Sequence, residues 1–344
     1  MSRLRTKSSF KLTSSAREFV ILGVAAAVFF ALPWLMPFIG AYEQLATRFL
    51  IWGIFALGFD ILLGFTGLLS FGHAAFWGIG SYVAGYYLLH VSNSLLIAML
   101  LGVLVVGVVA WLLGLITLRR HGIYFAILTL AFAEMFYYLV LSPLQTWTGG
   151  DNGLTGIPSP KLLGMPLEGY GMHAFVAAWT LLAFYLARRI KDSPYGLILR
   201  GIKANETRLS FTGVNVFRYK LMAFVISGLY AGLAGTLDAA YETYVPTESL
   251  HWTTSGEVVI MSVIGGVGTL FGPMIGAGIV LYLENVLSAV TRQWNLILGL
   301  IFMGFVIFLP GGIVGSVRHL FRSRDGATAP ARTEQDSTDP AREP

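Results

Sequence analysis

The sequence is poor in two things that soluble proteins rely on. It has no cysteine in 344 residues, which excludes disulfides, thiolate metal sites and a cysteine nucleophile, and leaves the redox compartment unread. Asp, Glu, Lys and Arg together make up 12% of the chain, against about 25% in an ordinary soluble domain. So few charges cannot clothe a soluble surface when 56% of the residues are hydrophobic and the mean hydropathy is +0.71. A soluble enzyme, a nucleic-acid-binding domain and a disordered chain are all excluded. The six histidines are scattered, with no H-x-x-x-H pair to place zinc on a helix. There is no G-x-x-x-x-G-K-[ST] phosphate loop, no H-E-x-x-H and no G-x-S-x-G elbow. The chain therefore has no visible means of holding ATP, Mg or another metal, and no foothold for enzyme chemistry.

What is present is a succession of apolar runs. A spanning helix needs about 20 mostly apolar residues. Runs near that length occupy 19–36, 45–63, 74–90, 95–116, 122–142, 173–187, 220–241, 257–270, 274–290 and 293–309, of which 173–187 and 257–270 are short. The basic start resembles a signal peptide, but Pro33, Trp34 and Pro37 stand where a small-residue cleavage site belongs, so a retained first helix is expected. The charges set an orientation. Arg3, Arg5, Lys7, Lys11 and Arg17 precede the first run, and Arg188, Arg189, Lys191, Arg200, Lys203, Arg208, Arg218 and Lys220 share one loop. Arg318, Arg322, Arg324, Arg332 and Arg342 follow the last run. Segments 37–44, 143–172 and 242–254 hold a single basic residue, Lys161. The positive-inside rule then gives ten crossings with both termini cytoplasmic, or eight or nine if a glycine-rich segment is re-entrant. The expected fold is an all-α polytopic membrane protein of about ten (8–10) transmembrane helices. It divides into a basic cytoplasmic segment 1–18, a transmembrane domain 19–312 and a tail 313–344 whose composition predicts disorder.

Two glycine-rich interruptions echo one another: Gly64–His73, with Gly64, Gly67 and Gly72, and Gly265–Pro273, with Gly265, Gly266, Gly268 and Gly272. Paired broken segments point to a transport pathway, because freed backbone groups must face protein or a water-filled cavity. Close packing is the other reading, since Gly268, Gly272 and Gly276, and the small residues around Gly228 and Gly232, recur at helical spacing. Few ionisable groups lie in or beside the runs: Asp60, Glu134, Asp238, Glu257 and Glu284, with His73 at a break. Each costs at least about 2.5–3.5 kcal/mol near the bilayer centre and should face the bundle interior. They are either coupling groups or buried caps. Thr66, Gly67, Ser70 and His73, with Asp60 and Glu134, are the candidates for a substrate pathway.

The segment Thr148–Gly156, with Asp151 and Asn152, has the composition of tight turns with positive φ and would stand at the outer mouth as a docking surface. In the basic loop, Arg188 to Lys220 carries a net charge of +6. There Asn205 can N-cap a short helix, Glu206 suits its first turn, Arg208 follows, and Gly213 provides a stop. A helix of about two turns needs something to pack against, so this loop is a candidate docking element.

These blocks resemble a known family. Leu57–Gly80 (LGFDILLGFTGLLSFGHAAFWGIG), Gly122–Ala133, Thr148–Thr155, Ser193–Gly196, Gly213–Val216, Arg218–Ser227 and Gly265–Pro273 are similar, in order, to permeases of branched-chain amino-acid ABC importers of the LivM type. The resemblance covers roughly residues 45–312. It implies a multi-pass subunit of the bacterial inner membrane, paired with a second, LivH-like permease. Two cytoplasmic ATPase subunits, which would use ATP and Mg, and an extracytoplasmic solute-binding protein complete such an importer. It also implies that Asn205–Gly213 is the coupling loop, although the usual Glu-Ala-Ala is Glu206-Thr207-Arg208 here and Gly213 comes seven rather than six residues after Glu206. Nucleic acid is not an expected partner. Amino acids are the expected substrates, with urea the nearest rival. An ion-coupled secondary transporter using Asp60 and Glu134 is the competing class.

Overall fold

A computed structural model describes residues 14–162, 164–309 and 311–316. Most of segment 1–18 and of the tail 313–344 therefore lies outside the described residues. Among the described residues the α-helices used below are, in chain order, α1 (Ser14–Leu35), α2 (Gln44–Thr66), α3 (His73–His90), α4 (Leu95–Thr117), α5 (Ile123–Leu141), α6 (Gln145–Thr148), α7 (Tyr170–Asp192), α8 (Pro194–Ser210), α9 (Val216–Glu242), α10 (Trp252–Gly265), α11 (Phe271–Val290) and α12 (Trp294–Phe308). The described strands are β1 (Lys161–Leu162) and β2 (Met165–Pro166), a minimal antiparallel hairpin before α7. Among the described residues, eight helical segments are long and apolar enough to cross a membrane. The protein is an all-α polytopic membrane protein.

In lipid a helix satisfies its own backbone, so what distinguishes its faces is side-chain size. Helix α4 shows the rule. Leu100, Leu104, Val108 and Trp111 are exposed, while Gly102, Val106, Ala110 and Gly114 are buried on α9. Helix α9 is the hub, packed against α2, α3 and α4. A Cβ on its Gly232 would lie 2.8 Å from Val106 Cβ, and one on Gly228 would lie 2.8 Å from Ala110 Cβ. Small residues there let the backbones approach closely enough for dispersion to hold them.

Hydrogen bonds fix the directions. Ser227 Oγ donates to the Gly58 carbonyl at 2.6 Å and Tyr241 OH to the Gln44 carbonyl at 2.9 Å, so α2 and α9 are antiparallel. His73 meets Ser227, and Ser81 Oγ donates to the Gly235 carbonyl at 2.9 Å, so α3 runs parallel to α9. Helix α2 continues eight residues past Gly58 to Thr66, and α3 then starts back at the depth of Gly58. Residues 67–72 are thus a non-helical segment that returns to mid-bundle. They are not a loop on the bundle's end.

The short run 173–187 belongs to the full-length α7 of 23 residues. The run 257–270 does not form one helix: α10 stops at Gly265 after 14 residues, about 21 Å of rise, and residues 266–270 turn into α11. The spacing of Gly268, Gly272 and Gly276 therefore belongs to no single helix face. Gly268, with φ 85°, lies in the turn, while Gly272 and Gly276 abut the backbone of Gly265 and Met261 on α10. Helix α7 separates the hairpin end of the bundle from the end carrying α8, about 34 Å apart.

Candidate functional site

The two glycine-rich interruptions meet. Helix α2 ends on Gly67, whose φ of 76° is the left-handed C-cap conformation, and its N–H donates to the Leu63 carbonyl at 3.1 Å. Two turns earlier, Asp60 is fully buried. Its carboxylate accepts from Gly268 N–H at 2.6 Å and from Leu270 N–H at 3.3 Å. Asp60 thus caps, from another helix, the turn that starts α11. Thr269 Oγ1 accepts from Gly272 N–H at 3.0 Å and donates to the Gly266 carbonyl at 2.7 Å, which closes the turn from within. Leu270, at φ 65°, is held where L side chains rarely sit. A Cβ on Gly64 would come within 2.8 Å of Gly268 N, so the two segments touch where neither has a side chain.

The return segment 67–72 has its own partners. Thr129 Oγ1 of α5 accepts from Phe71 N–H at 3.2 Å, Ser70 Oγ from Gly72 N–H at 3.3 Å, and Ser255 Oγ of α10 from Ala74 N–H at 2.8 Å. Those backbone groups are occupied by protein in this conformation. His73 is fully buried, edge-on to Phe59, Phe76 and Phe224. Its Nε2 lies 2.7 Å from Ser227 Oγ, which already donates to the Gly58 carbonyl, so Nε2 carries the proton and donates. Thr66 Oγ1 donates to the Leu62 carbonyl at 2.6 Å. Of the predicted pathway residues, only Gly67 is exposed. Asp60, Thr66, Ser70 and His73 stand behind it.

Glu134 is not part of this cluster. It lies at the hairpin end, where Oε1 accepts from Trp252 N–H, the first of α10, at 3.2 Å and sits 3.7 Å from His251 Nε2. A carboxylate there complements the dipole of α10. Asp151 and Asn152 are exposed at the same end. Their loop is joined to residues 243–247 by reciprocal backbone bonds between Leu154 and Val245, at 2.9 and 3.0 Å, and by Tyr244 OH donating to the Asn152 carbonyl at 3.2 Å. Gly149, Gly150, Gly153 and Gly156 all have positive φ, as their composition predicts.

At the other end, α8 begins earlier than its charge pattern suggests. Ser193 caps it by accepting from Gly196 N–H at 3.3 Å, and Pro194 takes the first position. The helix is kinked at Asn205, whose φ of −165° and ψ of 100° are non-helical. Asn205 Oδ1 accepts from Arg208 N–H at 2.8 Å, starting a last short turn that ends before Gly213, φ 81°. Glu206 points inward. Its Oε2 receives a hydrogen bond from the buried Lys220 of α9 at 2.5 Å and lies 4.0 Å from His121 Nδ1. Tyr195 OH donates to the Tyr219 carbonyl at 3.2 Å, and burial raises its phenol pKa above the usual value, keeping it a donor. The outward side carries Arg208 and Phe211, the latter 86% exposed.

Several working residues are invisible as motifs. Thr129, Ser227 and Ser255 read as ordinary hydroxyls in apolar runs, and Lys203 as one loop charge among eight. Arg48, within an apolar run, lies 3.2 Å from Glu242. A basic residue inside a spanning run was the available signal. Among the described residues no group of three or more His, Cys, Asp or Glu is arranged to hold a metal.

An all-α bundle of apolar spans, two interlocked helix breaks in its interior and loops joined at its ends define a multi-pass membrane permease. The family described as branched-chain amino acid transport system / permease component matches residues 41–309. The chain belongs to that family, whose members are transport subunits of ABC systems and not enzymes. It is 28% identical to the high-affinity branched-chain amino acid transport system permease protein LivM of Escherichia coli K12, over 89% of this chain and 77% of that one. Its counterpart in Salmonella typhimurium LT2 is 27% identical over the same shares. The autoinducer 2 import system permease protein LsrC of Klebsiella pneumoniae is 30% identical, over 47% of this chain and 49% of that one. No solved structure matches the chain.

Proposed function

We propose that the chain is one permease subunit of an ATP-driven importer of branched-chain amino acids in the bacterial inner membrane. The observation that carries this reading is the extent of similarity to the LivM relatives, which covers 89% of the chain, where the autoinducer 2 import permease covers 47%. The α8 end, with its basic loop, faces the cytoplasm, and the hairpin end faces outward. Both termini are cytoplasmic. A second, LivH-like permease completes the translocation pathway, and two ATPase subunits supply ATP hydrolysis. A solute-binding protein docks on the loop of Asp151 and Asn152 and releases its ligand. ATPase closure then displaces the turn at Asn205, Glu206, Arg208 and Gly213, with Phe211 as its apolar contact, and switches the cavity from outward to inward access.

Gly67 forms part of the pathway wall, and Thr66, Ser70, His73 and Asp60 hold its shape from behind. Glu134 sets the outer edge of that wall. Gly265, Gly266, Gly268, Gly272 and Pro273 pack and break the helices opposite. The apolar Phe and Leu side chains beside Gly67 suit an aliphatic substrate side chain.

The deciding experiment is calorimetry of the solute-binding protein encoded beside this chain, followed by uptake into vesicles holding the complete complex. Leucine, isoleucine or valine should bind and be taken up only with ATP. Binding of urea instead would overturn the substrate assignment. Uptake that persists without the ATPases and collapses with an ionophore would overturn the importer reading in favour of an ion-coupled transporter.

A further inference from the structure

The basic side chains of the α8 end differ in what they hold. Arg200 donates to the carbonyls of Gly196 and Lys191, both at 3.3 Å, and Arg188 pairs with Asp192 one turn on, at 3.9 Å. These bonds stay within α7 and α8. Lys203 does not. Its Nζ crosses to α2 and donates to the Gly64 carbonyl at 2.9 Å, across 139 residues of sequence.

That acceptor exists because α2 breaks. A carbonyl in the last turn of a helix has no N–H ahead of it, and Gly67 has turned the chain left-handed. A cation placed there also meets the negative end of the helix dipole. The Lys203 stem passes over the break itself, since a Cβ on Gly67 would lie 3.3 Å from Lys203 Cγ. On its other side Gly64 abuts Gly268, and Asp60, one turn back, holds Gly268 and Leu270. Three successive contacts thus run from α8, through the end of α2, to the turn between α10 and α11.

We propose that Lys203 is a positioning residue that carries displacement of α8 to both helix breaks. The bond to Gly64 is made in one access state of the permease and released in the other. This rests on the reading of α8 as the side that meets the ATPase subunits. The chemistry asks for a long, flexible cationic donor, because a carbonyl at a helix end accepts from a moving ammonium over a range of α8 positions. A cap that served folding alone would not need to come from the element that moves.

The test uses the full complex in nanodiscs with Lys203→Met and Lys203→Arg. Amide hydrogen exchange at residues 64–72 and 266–272 should rise at least about tenfold in Lys203→Met, with exchange in α9 unchanged. This arm needs no turnover. In vesicles, binding-protein-stimulated ATP hydrolysis should stay within about twofold of the wild type while uptake per ATP falls at least about tenfold. Lys203→Arg should restore at least half of that ratio. Unchanged exchange at 266–272 would overturn the proposal. So would uptake and hydrolysis falling in parallel with a lowered melting temperature, the result expected of a simple helix cap. If wild-type hydrolysis ignores the binding protein, the transport reading fails, and the exchange arm still judges Lys203.

Discussion

The two helix breaks solve one problem in opposite ways. Between α2 and α3 the backbone is braced from all sides: Thr129 from α5, Ser255 from α10, Ser227 from α9 by way of His73, and Lys203 from α8. Between α10 and α11 one side chain from elsewhere, Asp60, supplies both long-range acceptors, and the rest of the turn closes on itself. The first break distributes its dependence over four helices. The second concentrates it on a single carboxylate. Losses at the first should therefore be graded, and losses at the second abrupt.

Asp60→Leu should have the largest effect. It orphans two N–H groups at about 1–3 kcal/mol each, and the purified complex should melt many degrees lower or fail to accumulate. Asp60→Asn, which keeps an acceptor oxygen, should fall between the leucine variant and the wild type. Equal melting of all three proteins would show that the turn at 266–270 holds itself.

Next should come single losses at the return segment. Ser255→Ala and Thr129→Val each orphan one N–H where Asp60→Leu orphans two, at about 1–3 kcal/mol, and should lower melting by similar, smaller amounts. Either one matching Asp60→Leu would erase the contrast between the breaks. Gly67→Ala forces a side chain into the left-handed region at about 1–2 kcal/mol and presses on the Lys203 stem. Its uptake should fall further than its melting temperature would suggest. A loss of uptake no greater than its loss of folded protein would argue that Gly67 is a cap and nothing more. The smallest shift in melting should belong to Asp151→Lys, an exposed site at the hairpin end. There the response to binding protein should weaken while the melting curve overlays the wild type.

The all-α class and the spans were legible because lipid enforces long apolar runs, and the Asn205 cap because its grammar is local. The turns of the outer loop were legible for the same reason, since glycine at positive φ is a property of single residues. Other features were hidden by the distance over which they act. Nothing near Asp60 in the sequence points to Gly268, 208 residues away. The spacing of Gly268, Gly272 and Gly276 imitates a helix face because periodicity cannot reveal that the chain turns at 266. Glu206 reads as a first-turn carboxylate of a short helix, but the buried Lys220 needs a counter-ion, and Glu206 is turned inward to supply it. The first half of α8 was concealed by its charges, although Ser193-Pro194 is a helix-start signature.

The bond between Asp60 and the α10–α11 turn also sets a timetable for biosynthesis. At about 5–20 residues per second, Asp60 leaves the ribosome roughly 10–40 s before Gly268, 208 residues later. For that interval α2 must enter the bilayer carrying a carboxylate without its final donors. The many Phe, Leu and Ile side chains of α2 outweigh an insertion penalty of about 2.5–3.5 kcal/mol. The completed bundle is then locked by a residue made in the first fifth of the chain and satisfied in the last quarter. A nascent chain arrested before α10 should consequently hold α2 in the membrane while its carboxylate waits for a partner.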